Sequence, residues 1–213
     1  MDIFLKQVTQ VKEVYLKKIY NFFIFIFFIN ILFFFNNSYS NELTFELKKD
    51  VIIFLESIKE FSSEFIQTDG QTIEEGFLFI KNDRIKIQYS QPKKITIIID
   101  KKKAMYFNED LQEIEYFNPK NSIADYFYQI FNNQSFFDDA GFVKKNNFII
   151  INKKINLNDS LIHLKIFFED SPFLLRKISI IEVDNELSIS FINPNYNPGL
   201  ESEFFSMANP LIN

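Results

Sequence analysis

A mainly β fold with two helices is the class this chain predicts, and two observations carry it. From Phe61 to Phe117 short runs of β-branched and aromatic residues alternate with turn-forming clusters, and from Phe142 to Ile192 the same alternation returns. The third run phases cleanly: Ile85, Ile87 and Tyr89 fall on one face, and Arg84, Lys86 and Gln88 on the other. The runs Gly76 to Lys81 and Ile95 to Asp100 are apolar on both faces, more than a sheet with one covered side requires.

The strands expected in the first half are Phe61 to Gln67, Gly76 to Lys81, Arg84 to Tyr89, Ile95 to Asp100, Ala104 to Phe107 and Ile114 to Phe117, separated by Asp69-Gly70, Asn82-Asp83, Gln91-Pro92, Lys101-Lys102 and Asn108-Glu109-Asp110. In the second half, Phe142 to Lys145 and Phe148 to Asn152 form a hairpin around Asn146-Asn147. Leu161 to Phe168, Leu174 to Val183 and Glu186 to Ile192 complete about ten or eleven antiparallel strands. Leu47, Val51, Phe54, Leu55 and Ile58 share one face of an amphipathic helix between Leu43 and Glu60, placed to lie on the meander. A second helix starts after Asn118-Pro119-Lys120, capped by Asn121 or Ser122, with the stripe Ile123, Tyr126, Phe127, Ile130 and Phe131. That stripe fits a helix packed in a core as well as a movable lid over a cavity.

Ile19 to Asn41 is uncharged, Lys17-Lys18 precedes it, and Ser38-Tyr39-Ser40 supplies small residues where a signal peptidase cuts. Residues 1–40 therefore read as a signal peptide cleaved after Ser40, with 41–213 as a single exported domain. An uncleaved membrane anchor is the other reading of the same run. Removing 1–40 leaves 19 basic and 26 acidic residues, a formal charge of -7 against -5 for the whole chain.

Composition excludes more than it assigns. With no cysteine and one histidine in 213 residues, thiolate chemistry, disulfides and multi-histidine zinc sites are set aside. Scattered charges with an acidic balance argue against nucleic acid. Asp138-Asp139 read as solvated loop carboxylates and His163 as a strand-face residue, and there is no phosphate loop or nucleophile elbow. The expectation is a non-enzyme without metal or cofactor. Surplus apolar surface on a curved sheet suits an interior that holds lipid, and also suits a β protein that is simply well packed.

The stretches Phe61 to Thr68, Glu75 to Lys81, Ile87 to Pro92, and Ile97 to Lys102 leading to Met105-Tyr106-Phe107-Asn108, together with the preceding helix, resemble the LolA family of periplasmic outer-membrane lipoprotein carriers. The resemblance implies an unclosed antiparallel β-barrel with a helical lid over a hydrophobic cavity. It implies that this cavity takes the acyl chains of lipoproteins received from an inner-membrane ABC-type release complex, and that these pass to an outer-membrane acceptor. On that basis Phe65, Phe77, Phe79, Ile87, Tyr89 and Ile97 are expected to line the cavity, and Ile123, Tyr126, Phe127, Ile130 and Phe131 to form the lid of a monomeric carrier. Strand parity across the turns is open at this point. The family's lid-holding Arg follows its Gly-containing strand; here Lys81-Asn82-Asp83-Arg84 makes Arg84 the lid-control candidate, as a displaced substitute or as the match to another basic position. A carrier of another lipid and a membrane-anchored envelope adaptor are the alternatives.

Overall fold

A computed structural model describes residues 43–157, 160–183 and 185–212. The expected signal segment lies outside the described residues. The chain divides into the units Met1–Glu46 and Leu47–Asn213, and the fold below is that of the second. Residues 43–57 are helical (α1, entering the second unit at Leu47). There follow β1 (Glu60–Thr68), β2 (Ile73–Lys81), β3 (Arg84–Gln91), β4 (Ile95–Ile99), β5 (Ala104–Asn108), β6 (Glu113–Phe117), α2 (Ile123–Asn132) and a 3-10 turn (Gln134–Phe137). Then come β7 (Gly141–Lys145), β8 (Phe148–Leu157), β9 (Ser160–Asp170), β10 (Phe173–Glu182), β11 (Asn185–Tyr196) and a second 3-10 turn (Ser202–Phe205).

All eleven strands form one antiparallel sheet in the order β6-β5-β4-β3-β2-β1-β11-β10-β9-β8-β7. It is two meanders joined at a single seam, where Phe65 faces Phe191 and Phe61 faces Tyr196. The ends of the order, β6 and β7, do not pair with each other, so the barrel is unclosed. The segment joining these two edges carries α2 and the first 3-10 turn.

Strands run past their expected ends where pairing rewards them. β8 continues through Lys153-Lys154 to Leu157 because Ile155 pairs with Ile162 and is buried. The turns match their residues: Asn82 and Asn146 take positive φ, a conformation asparagine tolerates.

One face of the sheet holds the core. Phe61, Phe65, Leu78, Ile80, Ile85 and Ile99 from the first meander cluster with Ile149, Ile151, Ile166, Phe168, Ile178 and Phe191 from the second. Leu47, Val51 and Leu55 of α1 and Phe127 and Ile130 of α2 close this cluster from above. Phe54 anchors α1, its ring meeting Phe168 at 5.7 Å, Phe173 at 4.8 Å and Tyr196 at 5.6 Å.

The opposite face of the first meander explains the strands that are apolar on both sides. Lys86, Ile98, Met105 and Tyr116 form one cross-strand row. The C-terminal segment crosses it: Lys86 Nζ donates to the Phe204 carbonyl at 3.0 Å and lies 3.7 Å from that ring's centroid, and Tyr116 Oη donates to the Met207 carbonyl at 2.9 Å. Between those two contacts Ile98 and Met105 are buried.

The segment is clasped where it leaves β11. Glu60 pairs with Lys81 at 2.9 Å and accepts the Leu200 N–H at 2.9 Å, and Lys81 Nζ also donates to the Leu200 carbonyl. Gly199, at φ +73°, supplies the left-handed step that aims Leu200 at Glu60. The Glu60 carboxyl is held below its ordinary value, first by the Lys81 hydrogen bond and then by the Leu200 N–H. A lowered pKa means that the clasp's contribution is present above the ordinary carboxylate range and is lost as pH falls through the lowered value. Followed by NMR against pH, the Leu200 amide is expected to titrate with a midpoint below that of an ordinary glutamate, and to lose the titration in Glu60→Gln; a midpoint at the ordinary value refutes the clasp.

Candidate functional site

The sheet's contribution to the site is a cross-strand row through β1, β2 and β3. Phe65 faces Gly76, and Gly76 faces Tyr89. A Cβ at Gly76 would stand 2.2 Å from the Gln88 carbonyl oxygen and 2.7 Å from Phe65 Cζ, so only glycine lets the Phe65 ring lie across β2. That ring meets Tyr89 edge-on at 5.2 Å. Tyr89 Oη donates to Gln67 Oε1 at 2.9 Å, and Gln67 donates in turn to Glu74. Burial pushes the Tyr89 hydroxyl up to about 12, with the nearby Glu74 carboxylate adding to the shift, so it stays a neutral donor.

Ile87 pairs with Leu78 and with Ile97, which places Ile87 and Ile97 on the same face as Phe65 and Tyr89. Phe77 and Phe79 do not join them. Gly76, Leu78 and Ile80 take the core-facing positions of β2, so the phase of two sends Phe77 and Phe79 to the opposite face. There Phe79 meets the Phe204 ring at 4.8 Å and Phe77 is 42% exposed.

The lid residues lie on α2 as follows. Ser122 caps the helix, its side chain accepting the Asp125 N–H. Phe127 and Ile130 point down and are buried, Tyr126 and Phe131 are half-buried, and Ile123 is exposed. The four residues Ile123, Tyr126, Phe127 and Ile130 share an apolar gap with Ile155, Ile162, Leu164, Ile178 and Ile180 of the sheet. Its volume is about 10 Å³, at the lower limit for a single water. Where a hydrophobic cavity was expected, α2 packs directly on the sheet, and none of Phe65, Ile87, Tyr89 and Ile97 lines the gap that remains. A wider cleft of about 240 Å³ opens between α1 and α2, floored by Leu55, Ile80, Ile130 and Phe137 and rimmed by Glu56, Asn82 and Gln134.

Polar contacts hold the cover down, and Arg84 is absent from them. Arg84 is exposed, occupies the non-core phase of β3, and makes no ion pair among the described residues. Instead Lys48 of α1 pairs with Asp138 at 2.9 Å, Gln134 donates to Glu56, and Tyr126 Oη donates to the Asn156 carbonyl at 2.8 Å. Lys153 contributes most directly. It shares the core-facing phase of β8 with Ile149, Ile151 and Ile155, its side chain is 10% exposed, and its Nζ pairs with Asp139 and sits 4.9 Å from the Phe136 ring centroid. The Lys153 hydrogen bond holds the Asp139 carboxyl below its ordinary value. A lysine in phase with three isoleucines was a readable signal for this role. Lys48 and Glu56, which act through partners about eighty to ninety residues away in the chain, had none.

Asp138 and Asp139 are thus the acceptors of two lysines. Among the described residues no group of three or more His, Cys, Asp or Glu is placed to hold a metal ion. The arrangement offers an apolar sheet face under a helical cover tethered by a few polar side chains.

Among solved structures, an uncharacterised conserved protein from Thermus thermophilus overlays with a TM-score of 0.51 at 4% identity, covering 74% of this chain and 91% of that one, a likeness of fold alone. Weaker overlays, below the level from which a shared fold follows, are made by LprF from Mycobacterium bovis (TM-score 0.41, 6% identity, 73% of this chain and 93% of that one) and a DUF1329 family protein from Desulfovibrio piger (0.38, 6%, 79% and 98%). No curated protein matches the sequence. The family model of the outer membrane lipoprotein carrier protein LolA matches residues 56–208, a stretch that takes in all eleven strands and α2. The chain belongs to the LolA family.

Proposed function

We propose that this chain is a periplasmic carrier, exported by cleavage after Ser40, that takes up the acyl chains of lipoproteins released by an inner-membrane ABC-type complex and delivers them to an outer-membrane acceptor. Membership of a carrier family supports the kind of role. The observation that carries the cargo reading is the filled interior: an apolar sheet face covered by a helix that leaves a gap of only about 10 Å³.

Magnitudes favour a cover that cargo displaces. One buried acyl chain of about 15 methylenes gains roughly 12 kcal/mol, near the limit of a nanomolar complex, and two or three chains exceed any releasable affinity. If entry lifts α2, Phe127 and Ile130 lose their burial, at roughly 1.5–3 kcal/mol each. That loss, about 3–6 kcal/mol in all, brings the gain from one chain down to roughly 6–9 kcal/mol, a range from which an acceptor can take it, and further chains are releasable only when buried in part. Lifting α2 bares Ile155, Ile162, Leu164, Ile178 and Ile180 for the acyl chain, on the same sheet face whose first meander carries Phe65, Tyr89, Ile87 and Ile97, and Lys153 with Lys48 holds the cover until then. Phe77 and Phe79, on the far face, have no part in this site.

The test is release. Purified 41–213, incubated with spheroplasts that hold a tagged triacylated lipoprotein, is expected to bring the lipoprotein into the soluble fraction in a one-to-one complex. Phe127→Glu buries an unpaired carboxylate at a cost of several kcal/mol unless α2 lifts. This variant is expected to keep its strand circular dichroism and lose cargo retention; global unfolding would show α2 to be structural core only.

Hydrogen exchange separates the two lid-control candidates. Lys153→Gln is expected to speed exchange across 123–140 severalfold, the effect of losing a largely solvent-screened ion pair worth up to about 1 kcal/mol. Arg84→Gln should leave that segment unchanged, and the reverse pattern would return the role to Arg84.

A further inference from the structure

Beside the lid lies a second feature that lipid uptake into the interior does not use. An open cleft of about 550 Å³ runs along α2, lined on one side by Tyr128, Gln129 and Asn132 and on the other by Lys101, Lys102 and Lys120. Lys101 and Lys102 form the β4–β5 turn, and Lys120 stands in the loop that leads into α2. All three are exposed and make no ion pair among the described residues.

Burial raises the Tyr128 hydroxyl's pKa, and Asp83 and Asp100 stand near enough to add to the shift; of the acidic groups nearby, Asp100 and Asp125 are engaged by backbone. Asp100 accepts the N–H groups of Lys102 and Lys103, both at 2.8 Å, and Asp125, the one acid lining the cleft, accepts the Asn121 N–H at 3.2 Å. Three lysines face one aspartate in a protein whose expected mature charge is -7. The neighbouring Lys103 lies 4.0 Å from the Tyr116 ring centroid and extends the basic edge.

We propose that this basic cleft docks the protein on the anionic head groups of a phospholipid bilayer, with α2 laid against the head-group plane. Charge complementarity selects the surface: clustered lysines attract anionic leaflets, and their flexible stems reach phosphates while the chain stays in water. Tyr128, half-buried and lining the cleft, is the residue type that sits at the membrane–water boundary. The location selects it as well, because the helix that has to lift is brought to the place where acyl chains lie. This inference rests on the carrier reading above. An acidic protein surface would use the same lysines, and the test decides between them.

The test is co-sedimentation of the exported, processed protein with vesicles of equimolar phosphatidylglycerol and phosphatidylcholine, against pure phosphatidylcholine, at low and high salt. Binding is expected only to the anionic vesicles and to fall with salt. Lys101→Gln, Lys102→Gln and Lys120→Gln together are expected to weaken it roughly a hundredfold, about fivefold for each lysine. A control with Lys49→Gln, Lys145→Gln and Lys154→Gln, three other lysines without ion pairs among the described residues, is expected to bind as the parent does. Equal binding to both vesicle types, an unaffected cleft triple, or an equal loss in the control overturns the proposal. So does complete competition by inorganic phosphate at unchanged ionic strength, which would mark a small-anion pocket. Lipoprotein release is read separately: docking without release leaves this surface standing and removes the cargo assignment, and release by a protein that does not dock removes the surface alone.

Discussion

The structure depends on the burial of one continuous apolar face that belongs to an unclosed sheet. A closed barrel can bury its inner face within itself. Here β6 and β7 do not pair with each other, so the face has to be covered from outside the sheet. The chain supplies α1 before the first strand and α2 between the two edges. Each helix brings a few large side chains: Phe54 wedged among Phe168, Phe173 and Tyr196, and Phe127 and Ile130 over the second meander. Beneath α2 the gap that remains is only about 10 Å³. The helix is held by side chains and takes part in no strand pair.

The two faces of the first meander do different things. The core-facing side is covered by helices whose polar tethers are few and mostly exposed. The other side is covered by the C-terminal segment, clasped by Glu60, Lys81 and Leu200 and laid over Ile98 and Met105. That side was the unexplained surplus of apolar residues in β2 and β4. Its cover is a segment with one short 3-10 turn, Ser202–Phe205, among Pro198, Gly199 and Pro210, too short to show a periodicity that announces it.

Most of the sheet was legible in the sequence because strands and turns are local. Each of the eleven described strands contains an expected apolar run, though β8 continues past Asn152 and β11 past Asn193-Pro194, and β3 declared its own phase through Ile85, Ile87 and Tyr89. The phase of β2 was not legible, since Phe77, Leu78, Phe79 and Ile80 are apolar at every position. What decides it is Gly76, whose missing side chain makes room for the Phe65 ring from the next strand. The lid's tethers were hidden for a related reason. Lys48 and Asp138, or Glu56 and Gln134, meet only after the whole first meander has folded between them. Lys153 was the exception, a charge standing in an apolar phase.

The path of α2 from one sheet edge to the other has a consequence for how cargo and lid compete. A helix anchored at both ends cannot diffuse away when it lifts, so its return is an intramolecular event with a fixed effective concentration, set by connecting chain of a few residues on either side. An acyl chain, by contrast, arrives at whatever concentration its donor presents. On the carrier reading, the closing side of that contest would be the same in every molecule, independent of the amount of carrier present, while the opening side would follow the supply of cargo. On the same reading, closure would follow departure of the cargo on the time of a loop motion.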